Sequence, residues 1–302
     1  MNRPLLRGLT ALGTALLFTV CPTRLVAQDD PNTAGPAEVI NCGTPDSDGA
    51  GSYNVADQNW KILTIRPGFT VRSFDTHKVG IRIRLGIQLA TYDLERLEDF
   101  DASTIRLGAI TPGIELLIRT GSRSLLKPFL DVGFGEQLNG DETLFLLSTG
   151  LLTEFIFPWH GFEFGLEPGA QLTFTDAPGA DEDQSLISVT AKADAHHDLP
   201  FTIATYPPEV GLYVSGAYLF DGYNLRVAPG ETINIDQQYE IGFSLGFRDR
   251  PKVWIFSVPH FGLGYRFGSG VSGIRIWIGR DRNIRLPTYQ GQAGSTPTPS
   301  TP

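Results

Sequence analysis

The chain has 302 residues, of which 19% are charged, and a formal net charge of −9. That acidic balance excludes a nucleic-acid partner, which calls for a basic face, and no stretch beyond the first residues reaches the ~18 apolar residues of a spanning helix. The two cysteines, Cys21 and Cys42, build no disulfide framework and no zinc cluster, so neither a metal nor a cofactor is expected.

The chain opens as an export signal. Arg3 and Arg7 form a positive start, an apolar run follows from Leu9 to Val20, and Leu25-Val26-Ala27 precedes the acidic pair Asp29-Asp30. Cleavage is expected after Ala27, giving a signal peptide over 1–27. Removing its three arginines, Arg3, Arg7 and Arg24, takes the charge from −9 to −12. Residues 28–58 are polar and rich in Gly, Pro, Asp and Asn; they read as a flexible leader, with room for a first strand or a plug. A β-barrel is expected over 59–280. The Pro/Thr/Ser-rich tail over 281–302 is expected to be disordered.

Between leader and tail the pattern has a period of two. From Val79, one face carries Val79, Ile81, Ile83, Leu85, Ile87 and Leu89, and the other Gly80, Arg82, Arg84, Gly86 and Gln88. Segments 162–174 and 239–247 alternate as cleanly: Tyr239, Ile241, Phe243, Leu245 and Phe247 enclose Glu240, Gly242, Ser244 and Gly246. A helix would place apolar residues three and four apart, so these are strands with one apolar face. The pattern recurs over 63–71, 105–118, 126–134, 145–157, 187–195, 212–220, 255–267 and 274–278. In 105–118 the phase flips near 110–112, which predicts a bulge. Pro67, Pro112, Pro168 and Pro259 fall inside strands, and each calls for a bulge or a lost ladder bond.

Eleven strands are visible, and barrels of this class have an even number. The links over 93–103, 176–184 and 222–237 are long; those over 73–78, 119–124, 158–161 and 248–252 are short, with 199–209 an exception. For long links to share one end, one more strand must lie within 36–58. The fold class is therefore all-β: a single transmembrane antiparallel barrel of about 12 strands (10–12).

Three features separate this from a soluble lipid-binding β-barrel. The polar face is rich in glycine, which suits a crowded lumen better than a solvated sheet. Twelve inward apolar faces would need a very large dry interior. Aromatic residues gather at strand ends, with Trp60, Tyr92, Trp159, Tyr223, Trp254 and Trp277 expected in an interfacial girdle.

The lumen-facing charges sort by sign: Arg66, Arg72, Arg82, Arg84 and Arg106 early, then Asp131, Glu154, Glu163 and Glu167, with Glu240 later. They create either a transverse field across a narrow aqueous path or interior ion pairs that fill it. Asp194 and His196 share a face, and His260 shares one with Arg266. Barrel hydrolases use a histidine beside a serine or an acid, and nothing in the sequence fixes a nucleophile here, so the three are weak catalytic candidates and an enzyme is the lesser reading. A serine beside either histidine on the folded wall would favour a barrel hydrolase of membrane lipid.

From Phe261 the chain reads Phe-Gly-Leu-Gly-Tyr-Arg-Phe-Gly-Ser-Gly-Val-Ser-Gly-Ile-Arg-Ile, and from Pro128 it reads Pro-Phe-Leu-Asp-Val-Gly-Phe-Gly. This resembles outer-membrane barrels in general and is most similar to solitary autotransporter-like barrels, over about residues 60–279. The resemblance implies a translocator-type, porin-like barrel without a passenger domain, structural or narrow-pore in role, in the outer membrane of a Gram-negative cell. Its partners would be outer-membrane lipid and the barrel assembly machinery. The polar tail departs from the aromatic ending usual in the class, and no catalytic residues carry over.

Overall fold

The computed structural model describes residues 49–55, 58–66, 68–72, 79–92, 107–137, 143–176, 184–228, 231–248, 252–253, 256–257 and 260–279. Residues 1–27 and 281–302, expected as signal and tail, lie outside them. The strands are β1 (Gly49–Val55), β2 (Gln58–Ile65), β3 (Gly68–Arg72), β4 (Val79–Tyr92), β5 (Leu107–Arg119), β6 (Ser124–Gln137), β7 (Thr143–Trp159) and β8 (Phe162–Asp176). They continue as β9 (Gln184–Asp198), β10 (Pro208–Ala228), β11 (Glu231–Phe247), β12 (Lys252–Val253), β13 (Phe256–Ser257), β14 (His260–Gly268) and β15 (Val271–Gly279).

Twelve strands close into one antiparallel barrel, in the order β1, β2, β4 to β11, β14, β15 and back to β1. The strand β3 prolongs β2 along the same edge of β4. Ile65 faces Ile87 and Gly68 faces Arg84, so the register runs unbroken across the interruption at 66–67. The small hairpin β12–β13 lies in the link between β11 and β14.

The strand required by parity is β1. Its outward residues Ala50, Ser52 and Asn54 are exposed and make no apolar stripe, so alternation had nothing to detect. Its ladders hold it: Ser52 pairs with Lys61 on β2 and with Ile274 on β15.

Alternation sets which way each side chain points. Leu212, Val214, Ile241, Phe243, Ile274 and Ile276 are exposed, and so are Ile83, Ile110 and Ile114. Between them Glu115, Lys127, Glu154, Glu240, Arg266 and Arg275 are buried at 5% exposure or less. Apolar side chains outside and charges inside reverse the arrangement of a soluble barrel, and the soluble lipid-carrier alternative falls with it.

Three sequence expectations are corrected. No phase flip occurs in β5: its register against β4 runs continuously from Leu107 to Ile118, with Ile110, Pro112 and Ile114 all outward. The prolines cost ladder bonds instead. Pairing with β6 lapses between Ile110–Phe134 and Gly113–Asp131, beside Pro112, without a register shift, and β7 and β8 lapse likewise beside Pro168. The expected link over 222–237 is strand: β10 and β11 run past their neighbours as a two-stranded hairpin joined across 229–230. Its strands were missed because a register shift between Tyr218 and Tyr223 breaks the alternation. Finally, the expected strand over 255–267 begins only at His260.

Candidate functional site in the barrel lumen

Glycines clear the inner wall for large side chains. On β11 and β14, Gly242 and Gly264 lie beneath the Tyr213 ring; a methyl group there would sit 2.5 Å from its Cζ and 2.3 Å from its hydroxyl. Gly262 lies beneath Trp277 in the same way, with 2.0 Å to Cε2. Trp277 is therefore 7% exposed inside the lumen and not in a girdle. Strict alternation with Ile276 and Ile278 already puts it on the inner face, and the register sets it opposite Gly262. Its indole Nε1 donates to the Tyr213 hydroxyl at 3.0 Å.

That pair leads to the most deeply buried charges. Glu240 faces Arg266 across the β11–β14 ladder. Arg266 donates from Nε and Nη2 to Oε2 at 3.0 and 2.9 Å. Arg275 of β15 donates from Nε and Nη2 to Oε1 at 3.1 and 2.7 Å, and the Tyr213 hydroxyl adds a bond of 2.6 Å. One carboxylate thus holds two guanidinium groups, one on each oxygen, through charge-assisted bonds. Tyr53 lays its ring 5.5 Å from the Arg266 guanidinium, so β1 is tied to the same cluster.

A second cluster lies on the early strands. Arg82 bonds Glu115, directly opposite it, at 2.7 Å. Arg84 faces Gly113, which has no side chain, and reaches across β5 to Asp131 at 3.0 Å. Its guanidinium also lies 4.8 Å from the Phe129 ring centre. Lys127 bonds Glu154 at 3.3 Å and also Glu167. The expected sectors of one sign are therefore interleaved, because acids on β5 and β6 answer the arginines of β4.

The third cluster gathers the weak catalytic candidates. His196 of β9 places Nδ1 2.9 Å from Glu209 Oε1 and Nε2 3.3 Å from Asp194 Oδ1. His260 of β14 reaches the same Glu209 oxygen from the far side, at 3.4 Å from Nε2. Gly246 lies opposite Glu209, and a methyl group on it would strike the His260 ring at 2.0 Å, so the bare backbone lets the two meet. Ser244 shares the spot above Gly211 with His196: a methyl group there would lie 2.5 Å from Ser244 Oγ and 2.7 Å from His196 Cε1. The serine that would favour a hydrolase is thus present. A general base needs a free ring nitrogen aimed at the hydroxyl, and both nitrogens of His196 face carboxylates.

At the strand ends beside this cluster, Arg248 bonds Asp198 and lies 3.6 Å from Glu163. Burial opposes its charge, but the hydrogen bond it donates to Asp198 and the charges of Asp198, Glu163 and Glu209 outweigh that and hold it above its ordinary range.

The remaining predicted residues fall as follows. Arg66 is half-buried beside the break between β2 and β3, and Arg72 ends β3 opposite Ile81. Trp60 and Tyr92 face each other across β2 and β4. Trp159 is 63% exposed at the end of β7, and Tyr223 lies in the β10–β11 hairpin opposite Ile235. Arg106 and Trp254 lie outside the described residues. Glu115, Lys127, Glu209, Ser244 and Arg275 were not singled out from the sequence. Alternation alone puts Glu115, Lys127 and Ser244 on the polar face, whereas their partners follow only from the register.

No family model matches the chain, and no curated protein matches it. Among solved structures it is similar to the translocator domain of the autotransporter NalP from Neisseria meningitidis, with a TM-score of 0.49 and 11% identity, covering 76% of this chain and 83% of that one. It is similar to the β domain of the Bordetella autotransporter BrkA, with a TM-score of 0.45 and 10% identity, covering 76% and 92%. The NanC porin gives a TM-score of 0.41 and 9% identity, covering 77% and 98%. These are likenesses of shape. What decides the membrane assignment is the wall: a closed antiparallel meander, greasy outside and charged within.

The fold is that of an outer-membrane β-barrel.

In such a barrel the hydrocarbon is met by Leu212, Ile241 and Ile276, and Trp159 stands at the wall's margin, where its ring suits an interface. The even strand number puts both chain ends of the barrel at one end. The His196–Glu209–His260 cluster lies toward that end, since β9 finishes there and β10 and β14 begin there.

Proposed function

We propose that this chain is an integral outer-membrane barrel of the solitary autotransporter-like kind, with a structural or narrow-pore role. On this reading it is exported by a cleaved N-terminal signal and inserted by the barrel assembly machinery of a Gram-negative cell. One observation carries the role. The charges inside the wall are paired and almost fully covered: Arg266 is 0% exposed, Glu240 2%, Lys127 3% and Glu115 4%. A wide aqueous channel would wet such groups, whereas a barrel of about twelve strands can fill its interior with side chains.

Planar-bilayer recording tests it. The purified barrel should give either no steps or steps far smaller than those of a wide-channel porin in the same bilayer. Steady steps as large as the porin's would overturn the reading, and silence at all voltages would leave the structural role alone.

A barrel hydrolase is the second reading, favoured by Ser244 beside His196. It requires Ser244 to be reactive. A fluorophosphonate probe should leave the folded barrel unlabelled, and labelling that Ser244→Ala abolishes would make the enzyme the better reading.

A further inference from the structure

The link between β9 and β10, residues 199–207, reads Leu-Pro-Phe-Thr-Ile-Ala-Thr-Tyr-Pro and carries no charged side chain. It folds as a small hairpin. Leu199 N–H donates to the Pro208 carbonyl at 2.8 Å, and Ile203 and Tyr206 exchange two backbone bonds of 3.0 Å. The Pro207 carbonyl accepts from Arg248 N–H at 3.2 Å, which ties the hairpin to the end of β11. At its tip Ala204 and Thr205 have φ of 49° and 77°. Two-residue hairpin turns ordinarily place asparagine or glycine in that left-handed region, and a β-branched residue there is strained. Strain of this kind persists only where the surroundings hold the backbone in place.

The tip presents two large apolar side chains: Phe201 is 52% exposed and Ile203 51%. Both keep the parity of Ala193 and His197, the outward residues of β9. On the returning limb, Tyr206 packs against Phe247 with ring centres 6.3 Å apart. Phe247 ends the outward row of β11 that begins with Tyr239. On the other flank the His197 ring lies 4.7 Å from that of Phe162, and the exposed Trp159 lies 5.8 Å from Phe164. Where the hairpin enters β10, Val210 and Leu212 are exposed on the outer face. The apolar surface of the wall thus continues onto the hairpin.

We propose that this hairpin is a membrane foot: it lies in the lipid interface of the leaflet at the end bearing both chain ends, with Phe201 and Ile203 where headgroups meet acyl chains. The occupant is lipid because the surface that the hairpin prolongs already meets lipid. In water the tip would expose two large apolar side chains on a strained turn; at the interface both leave water, which favours the folded position. The ring of Tyr206, apolar with a polar end, suits the headgroup level. A link without charge also avoids the cost of carrying an ion into that layer. Because its backbone is bonded to β10 and to the end of β11, the foot fixes how deep the wall sits on that side.

The test is quenching of a polarity-sensitive fluorophore on the full-length barrel in phosphatidylethanolamine–phosphatidylglycerol vesicles. Cys21→Ser and Cys42→Ser clear the background, and one cysteine is then placed by Ile203→Cys, by Leu212→Cys in the belt, or by Ser122→Cys. Ser122 is exposed in the turn between β5 and β6 at the same end. Iodide should quench the label at 203 several-fold less than the label at 122. A nitroxide placed high on the lipid chain should quench it more than one placed deep. Equal iodide quenching at 203 and 122 would overturn the foot. A label at 203 shielded from iodide and from both nitroxides would overturn it too, since a protein and not lipid would then cover the tip. No lipid quenching at 212 would remove the membrane placement of the wall itself, and the foot with it. If Ile203→Cys does not fold, Phe201→Cys carries the label and the same outcomes apply.

Discussion

At the scale of single residues, Glu240 matters most, because so many strands meet on it. Its two oxygens accept from Arg266, Arg275 and Tyr213, which belong to β14, β15 and β10, and Arg266 in turn lies over Tyr53 of β1. Removing one member of a buried ion pair costs about 3–5 kcal/mol, since the partner charges stay buried without compensation. Glu240→Ala should therefore destabilise the barrel by about that amount, measured by urea unfolding in lipid vesicles, and Glu240→Gln should fall between it and wild type. A loss below about 1 kcal/mol would mean that water already solvates the cluster. The polar face on which Glu240 stands was legible from the alternation of 239–247. Its two guanidinium partners were not, because nothing in the chain says that β15 lies beside β14 in the register that sets Arg275 across from Gly264.

At the scale of strands, the outward faces carry the membrane assignment. Ile241 lies midway along β11 and is 55% exposed, between Tyr239 and Phe243 on the same face. A lysine at mid-depth on the lipid face of a barrel costs about 2–4 kcal/mol. Ile241→Lys should lower stability in vesicles by that amount, while the same substitution at Trp159, at the margin, should cost far less. Equal costs at the two positions would contradict the belt. Strands were easiest to read where the outward face is uniformly apolar, as in β4, β8 and β11. They were hardest to read at β1, whose outward residues are small or polar, and in the upper part of β10 and β11, where the bulge after Tyr218 shifts the phase. Pro112 misled in a different way. A proline suggests a bulge, but a ladder can instead omit one bond on one side and keep its register, as β5 and β6 do.

At the scale of the molecule, closure is what turns twelve strands into a membrane-spanning wall, because it leaves no sheet edge unpaired in hydrocarbon. It depends on β1, a strand of seven residues that bonds β2 on one side and β15 on the other. The ion pairs run along the inner wall, between nearby strands: Arg82 with Glu115, Arg84 with Asp131, and Glu240 with Arg266 and Arg275.

The amino-acid sequence by itself determined the strand character of most of the wall, the lipid-facing side of strands such as β4, β8 and β14 and, through parity, the twelfth strand. All three depend on period-two alternation, which is a local property of the chain. The tertiary structure alone decided which charges meet, that Trp277 lies over Gly262, and that Ser244 comes to lie beside a histidine whose nitrogens are already engaged. Those outcomes depend on register between strands far apart in the chain, and on glycines whose missing side chains let neighbours cross, and neither distance nor register is encoded in any local pattern.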